Sequence, residues 1–183
     1  MNTRDVTRVA LFTALTAVLG VVPPLAIPVI GVPITAQTLG VMLSGCVLGA
    51  AGGGMAQLLL LMLVAAGFPF LAGGRGGLGV FASPTVGFLI GFPVAAFVTG
   101  WIVETWRGAP LTLVAGLGAV VGGIVVLYAF GILGMSVVMG KSLSEAALLV
   151  TAFIPGDLLK AGIAGMLTSS LARARPGSVL SRA

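Results

Sequence analysis

Apolar segments of bilayer-spanning length follow one another along this 183-residue chain, and charge is almost absent from them. Crossing the hydrocarbon core of a membrane takes about 20 predominantly apolar residues. Six stretches fit that pattern: 7–22, 34–51, 55–67, 84–106, 110–139 and 145–174. Pro23 and Pro24 stop the first. The segment PPLAIPVIGVP that follows cannot continue a helix, because each Pro lacks an N–H and restricts the residue before it. Gly52, Gly53 and Gly54 are expected to make the tight connection between the second and third stretches. The fourth opens on Pro84, which suits a first helical turn. The sixth contains Pro155-Gly156, where a kink or local unwinding is expected. The pattern predicts an all-α polytopic membrane protein of six transmembrane helices, with residues 1–183 forming a single integral-membrane domain.

Composition agrees. Charged residues make up 7% of the chain, against roughly 25% in soluble domains, too few to cover a water-facing surface. Gly supplies 29 residues, a density that suits close helix packing in a bilayer. The absence of His removes imidazole triads and imidazole metal sites, and no metal centre is expected. Cys46, the single Cys, permits neither an internal disulfide nor a CxxC pair and reads as a small buried hydrophobe. The net charge of +5 comes without a basic stripe interleaved with aromatics, so no nucleic-acid partner is expected. Nor does the N-terminus read as a cleaved signal peptide, since apolar segments continue throughout.

The cations are sorted by position. With the N-terminus inside, six crossings put Arg4, Arg8, Arg107, Arg173, Arg175 and Arg182 in the cytoplasm and only Arg75 and Lys141 outside. That asymmetry predicts an N-in, C-in topology, and Trp101 and Trp106 fit an interfacial aromatic belt at the inner end of the fourth span.

Two ionisable residues break the apolar pattern. Asp157 and Lys160, in FIPGDLLKAG, sit one turn apart on one helix face deep in the sixth span. A charge near the bilayer centre costs at least about 2.5–3.5 kcal/mol on insertion scales, so a compensating role is implied. One reading is a mutual ion pair; the other is a polar cavity in which the pair meets a ligand. A carboxylate accepts from N–H groups and an ammonium donates to a carbonyl, which suits a neutral cyclic urea or amide. Arg75, between glycine pairs in GGRGGLG, is a candidate carboxylate clamp, with Gly76 and Gly77 letting backbone approach a ligand. Gln37, Thr35, Gln57 and Tyr128 are weaker polar candidates, each as ready to bond another helix as a ligand. In the first span Ala10 and Ala14 form a small-xxx-small face, read either as internal packing or as a docking face. Glu104 with Arg107 reads as a surface pair.

Three motifs, VPITAQTLGVMLSG, GGLGVFASPTVGFLIGF and FIPGDLLKA, appear in that order, and with them nearly the whole chain resembles the BioY family of biotin-binding S-components of energy-coupling factor transporters. The resemblance implies an S-component-like bundle with a ligand pocket on the extracellular side, capturing biotin at a bacterial plasma (inner) membrane. It implies a transmembrane coupling protein and a pair of cytoplasmic ATPases as partners, and no cofactor beyond the transported biotin. It also implies that Asp157 and Lys160 contact the ligand, that residues 73–79 cover the pocket, and that Ala10 and Ala14 dock the coupling protein. An Arg between the glycines departs from the pattern that the resemblance implies, so the resemblance itself assigns Arg75 no role. No Walker A sequence is present, so an ATP-driven step needs other subunits. The residues leave two alternatives open: a self-sufficient carrier coupled to protons through Asp157, or an S-component for a different vitamin. An enzyme is not expected, because His, a second buried carboxylate and metal ligands are all missing.

Overall fold

The computed structural model describes residues 3–25, 30–175 and 177–182, so Pro28 of the proline-spaced segment lies outside the described residues. The helices are α1 (Thr3–Leu19), α2 (Gln37–Ala65), α3 (Val86–Thr105), α4 (Leu111–Val120), α5 (Leu127–Met139), α6 (Leu143–Val150) and α7 (Ile154–Ala174). A π-helical segment, Val121–Val126, joins α4 to α5, and a 3-10 turn, Thr151–Phe153, joins α6 to α7. Four stretches are long and apolar enough to cross a membrane: Gln37–Ala65, Val86–Thr105, Leu111–Met139 and Leu143–Ala174. Among the described residues, extended backbone pairs only at the isolated bridges Leu25–Ile34 and Leu71–Arg75.

α2 is folded back on itself. Gln57 Nε2 donates to Ser44 Oγ at 2.9 Å, across thirteen positions of sequence. A straight helix would separate those residues by about 20 Å. The reversal is at Gly49, whose φ of 82° and ψ of −174° interrupt the helix. The connection therefore falls three residues before the expected Gly52–Gly54 run, which is helical instead. Gly49 supplies the left-handed backbone that other residues resist, while Gly53 packs directly on the backbone at Gly45.

The break leaves backbone groups without helical partners, and distant side chains take them. The Ala50 N–H donates to Glu104 Oε1 at 2.9 Å, and Ser181 Oγ donates to the Cys46 carbonyl at 2.5 Å. Glu104 is therefore not the surface partner of Arg107 that the sequence suggests. A free N–H at a helix start is a stronger claim on a partly buried carboxylate than a solvated cation. Arg107 Nε instead donates to the Glu104 backbone carbonyl at 3.1 Å.

Glycine brings the other helices close. A Cβ at Gly100 would strike the α2 turn at Gly49, one at Gly87 would strike the Phe130 carbonyl in α5, and one at Gly165 would crowd Thr112 in α4. This contact surface uses the high Gly content for packing, as apolar helices in lipid require. The irregularity in the last stretch is the 3-10 turn at Thr151–Phe153; Pro155 stands in the first turn of α7, where its missing N–H costs nothing.

The bundle has two chemically distinct ends. α3 has 20 residues, so about 30 Å separates its Val86 end from its Thr105 end. The Gly49 turn, the 106–110 connection and the C-terminal tail gather at the Thr105 end, with Arg4, Arg8, Arg107, Arg173, Arg175 and Arg182. Segments 20–25, 30–36, 66–85 and 140–142 gather at the other, with Arg75 and Lys141. Ala10 and Ala14 are exposed on α1, beside Val6, Leu11 and Val18, so they do not pack inside the chain.

Candidate ligand-binding site

Asp157 lies in the first turn of α7, where the helix N-terminus favours a negative charge. It is 3% exposed, and three donors surround its carboxylate. Lys160 Nζ and Thr38 Oγ1 donate to Oδ1 at 2.8 and 2.9 Å, while Tyr128 Oη donates to Oδ2 at 2.8 Å. Lys160 has three N–H donors and spends each on the protein: Asp157 Oδ1, Thr38 Oγ1 at 2.9 Å and the Thr35 carbonyl at 2.6 Å. α7, α5 and the start of α2 are thus tied at one point. The mutual ion pair is present, and it also lines a cavity.

That cavity is open at its mouth to the outside of the bundle. Its polar side is Thr35, Gln37, Thr38, Arg75, Thr85, Tyr128, Asp157 and Lys160, and its apolar walls include Leu71, Leu89, Phe88, Phe92 and Phe153. Phe88, Tyr128 and Phe153 meet edge to face, with ring centroids 5.8–6.5 Å apart. Tyr128 is the second residue after the π-helical segment, which shifts the register of α5 relative to α4.

Arg75 reaches the cavity rim from a tight turn. Its backbone pairs with Leu71 in both directions, at 3.0 and 3.2 Å, while Gly73 (φ 78°) and Gly74 (φ 70°) make the reversal. Arg75 Nε donates to the Ala72 carbonyl at 3.2 Å, and its Nη groups bond no protein acceptor among the described residues. Partial burial pulls its pKa down from the usual arginine value, as a guanidinium short of counter-charge should behave. Gly76 packs against the Phe68 carbonyl and Gly77 N donates to the Val64 carbonyl at 2.8 Å; neither lines the cavity.

Gln37 lines the cavity with its amide already engaged. Nε2 donates to the Thr16 and Phe70 carbonyls at 3.2 and 2.9 Å, and Oε1 accepts from Ala72 N at 2.9 Å. It fastens the Gly-rich segment to α1 and α2. Gln57 lies away from the cavity and cross-links Thr16 to Ser44. Sequence reasoning missed Thr38 and the three phenylalanines. Thr38 is one turn from Thr35 at a helix start, and Phe88 and Phe92 share a face at i,i+4 spacing, which is the available signal. In a chain apolar everywhere that signal has little contrast.

The BioY family profile matches residues 1–177. The biotin transporter BioY of Rhodobacter capsulatus is 51% identical over 189 residues, covering 98% of each chain. The biotin transporter BioY of Rhizobium etli is 51% identical over 172 residues, covering 91% of this chain and 92% of its own. A probable biotin transporter BioY of Bacillus subtilis is 42% identical, covering 93% and 91% respectively. Among solved structures, the biotin S-component of an ECF-type ABC transporter superposes with a TM-score of 0.92 at 26% identity, over 100% of both chains.

Proposed function

The chain belongs to the BioY family, and from that premise we propose that it captures biotin as the substrate-binding S-component of an energy-coupling factor transporter. It is a transport protein and not an enzyme. The observation that carries the reading is the Asp157–Lys160 pair, its carboxylate buried and its ammonium partly so, opening onto an aromatic-walled cavity. Biotin presents a ureido ring with two N–H donors and one carbonyl, an apolar bicycle, and a carboxylate on an alkyl chain. Asp157 Oδ2, with one donor in place, accepts a ureido N–H. The ureido carbonyl takes one of the three Lys160 donors, displacing an acceptor the ammonium now holds. Phe88, Phe92 and Phe153 cover the bicycle, and Arg75 receives the carboxylate at the rim.

The chain crosses the membrane six times in this reading: α1, the two limbs of α2, α3, α4 with α5, and α6 with α7. The arginine-rich end faces the cytoplasm by the positive-inside rule and the cavity faces outward. The membrane is the bacterial plasma membrane. The exposed Ala10–Ala14 face of α1 docks a transmembrane coupling protein, which a pair of cytoplasmic ATPases drives. Biotin uptake in an auxotrophic host tests this. Uptake is expected only when the chain is expressed with a coupling protein and ATPases, and riboflavin or thiamine should not compete. Proton-gradient-driven uptake without those subunits would favour a self-sufficient carrier instead.

A further inference from the structure

About 30 Å along α3 from the cavity, two guanidinium groups converge on one helix end. Arg107 Nε donates to the Glu104 carbonyl at 3.1 Å, and Arg182 Nη2 donates to the Trp106 carbonyl at 2.9 Å. Both acceptors lie at the α3 C-terminus, where the helix dipole welcomes positive charge. Capping accounts for one donor of each arginine and leaves the others. Arg182 Nε is buried without an acceptor, so that edge of the side chain is spent against the protein, and Nη1 has no protein partner among the described residues. Arg107 lies close enough for its charge to act against that of Arg182. The nearby carboxylate, Glu104, is turned inward to the Ala50 N–H. Two like charges are thus held together with no counter-charge bonded to either among the described residues.

Their depth narrows the missing partner. Trp106 and Trp101 are 44% and 54% exposed beside the pair, an aromatic arrangement typical of the headgroup level. Planar guanidiniums bind phosphate oxygens in pairs, and an anionic leaflet concentrates such groups at this depth. We propose that Arg107 and Arg182 form a binding site for a phosphate group, supplied by the headgroup of an anionic phospholipid. The site has a structural consequence. Arg182 follows Ser181, which is fully buried and bonds the Cys46 carbonyl freed by the Gly49 turn. A headgroup held by Arg107 and Arg182 therefore fastens the C-terminal tail across the α2 reversal.

Trp101 and Trp106 are the two tryptophans of the chain, so intrinsic fluorescence reports on this end. The full chain in phosphatidylcholine bilayers, titrated with brominated phosphatidylglycerol or brominated phosphatidylcholine, measures the preference by quenching. The expected result is at least about threefold stronger quenching by the anionic lipid at equal mole fraction, falling to parity in the Arg107→Gln/Arg182→Gln double variant. The Arg173→Gln/Arg175→Gln variant should keep the preference. Equal quenching by both lipids in the parent chain, or a preference that survives the Arg107/Arg182 exchange, overturns the site. Loss of the preference in millimolar inorganic phosphate, with phosphate itself altering the fluorescence, overturns the lipid as its source. Biotin binding by the variants, measured alongside, separates a specific loss from misfolding.

Discussion

Lys160 Nζ stands 2.8 Å from Asp157 Oδ1 and 2.6 Å from the Thr35 carbonyl, so one ammonium joins the Asp157 carboxylate of α7 to the backbone that leads into α2. Removing one charge of a buried pair leaves the other uncompensated, which costs about 3–5 kcal/mol in such settings. Lys160→Met should therefore lower thermal stability in detergent strongly. Asp157→Asn/Lys160→Met should recover part of that loss, because it removes both charges. A double variant at least as unstable as Lys160→Met would mean the two groups are not energetically coupled.

The proposed pairing of Arg75 with the biotin carboxylate can be tested apart from the ureido half. Arg75→Gln should weaken biotin binding about tenfold, or about 1.4 kcal/mol, while leaving the affinity for biotin methyl ester nearly unchanged. Equal losses for acid and ester would move the carboxylate to another partner.

Gly49 and Glu104 make the α2 reversal. Gly49→Ala places a Cβ against Glu104 Oε1 on a backbone at φ 82°, and Glu104→Ala leaves the Ala50 N–H without its acceptor. Each should lower the melting temperature, Glu104→Ala by about 1–3 kcal/mol of stability, with Gly49→Ala the more severe. Biotin affinity of the folded fraction should stay unchanged for Glu104→Ala, because the cavity lies at the other end of α3.

Ala10 and Ala14 are exposed, so Ala10→Leu and Ala14→Leu should be tolerated in stability and in biotin binding. Uptake with the coupling protein present should fall. Intact uptake in both variants would place the coupling surface elsewhere.

The sequence made the helical membrane character and the cavity-lining Asp157–Lys160 pair legible for one physical reason: charge in an apolar chain is costly and therefore visible. The same logic separated the arginine-rich end from the cavity end. Features without such contrast were hidden. The turn at Gly49 rests on a backbone angle that any of several neighbouring glycines could supply, and the triple glycine at 52–54 was the more conspicuous choice. Glu104 looked like a surface residue because its real partner is a backbone N–H, which sequence does not display. Thr38 and the phenylalanine walls were ordinary residues until folding brought α2, α3, α5 and α7 together. Gln37 reads in the sequence as equally ready for a helix or a ligand, and three backbone groups occupy its amide.

Equilibrium titration of the purified chain with biotin, in parallel with Asp157→Asn and Lys160→Ala, bears most directly on the proposed function. Saturable binding is expected for the parent chain, weakened at least about tenfold in each variant. Failure of the folded parent chain to bind biotin, or unchanged affinity in both variants, would contradict it.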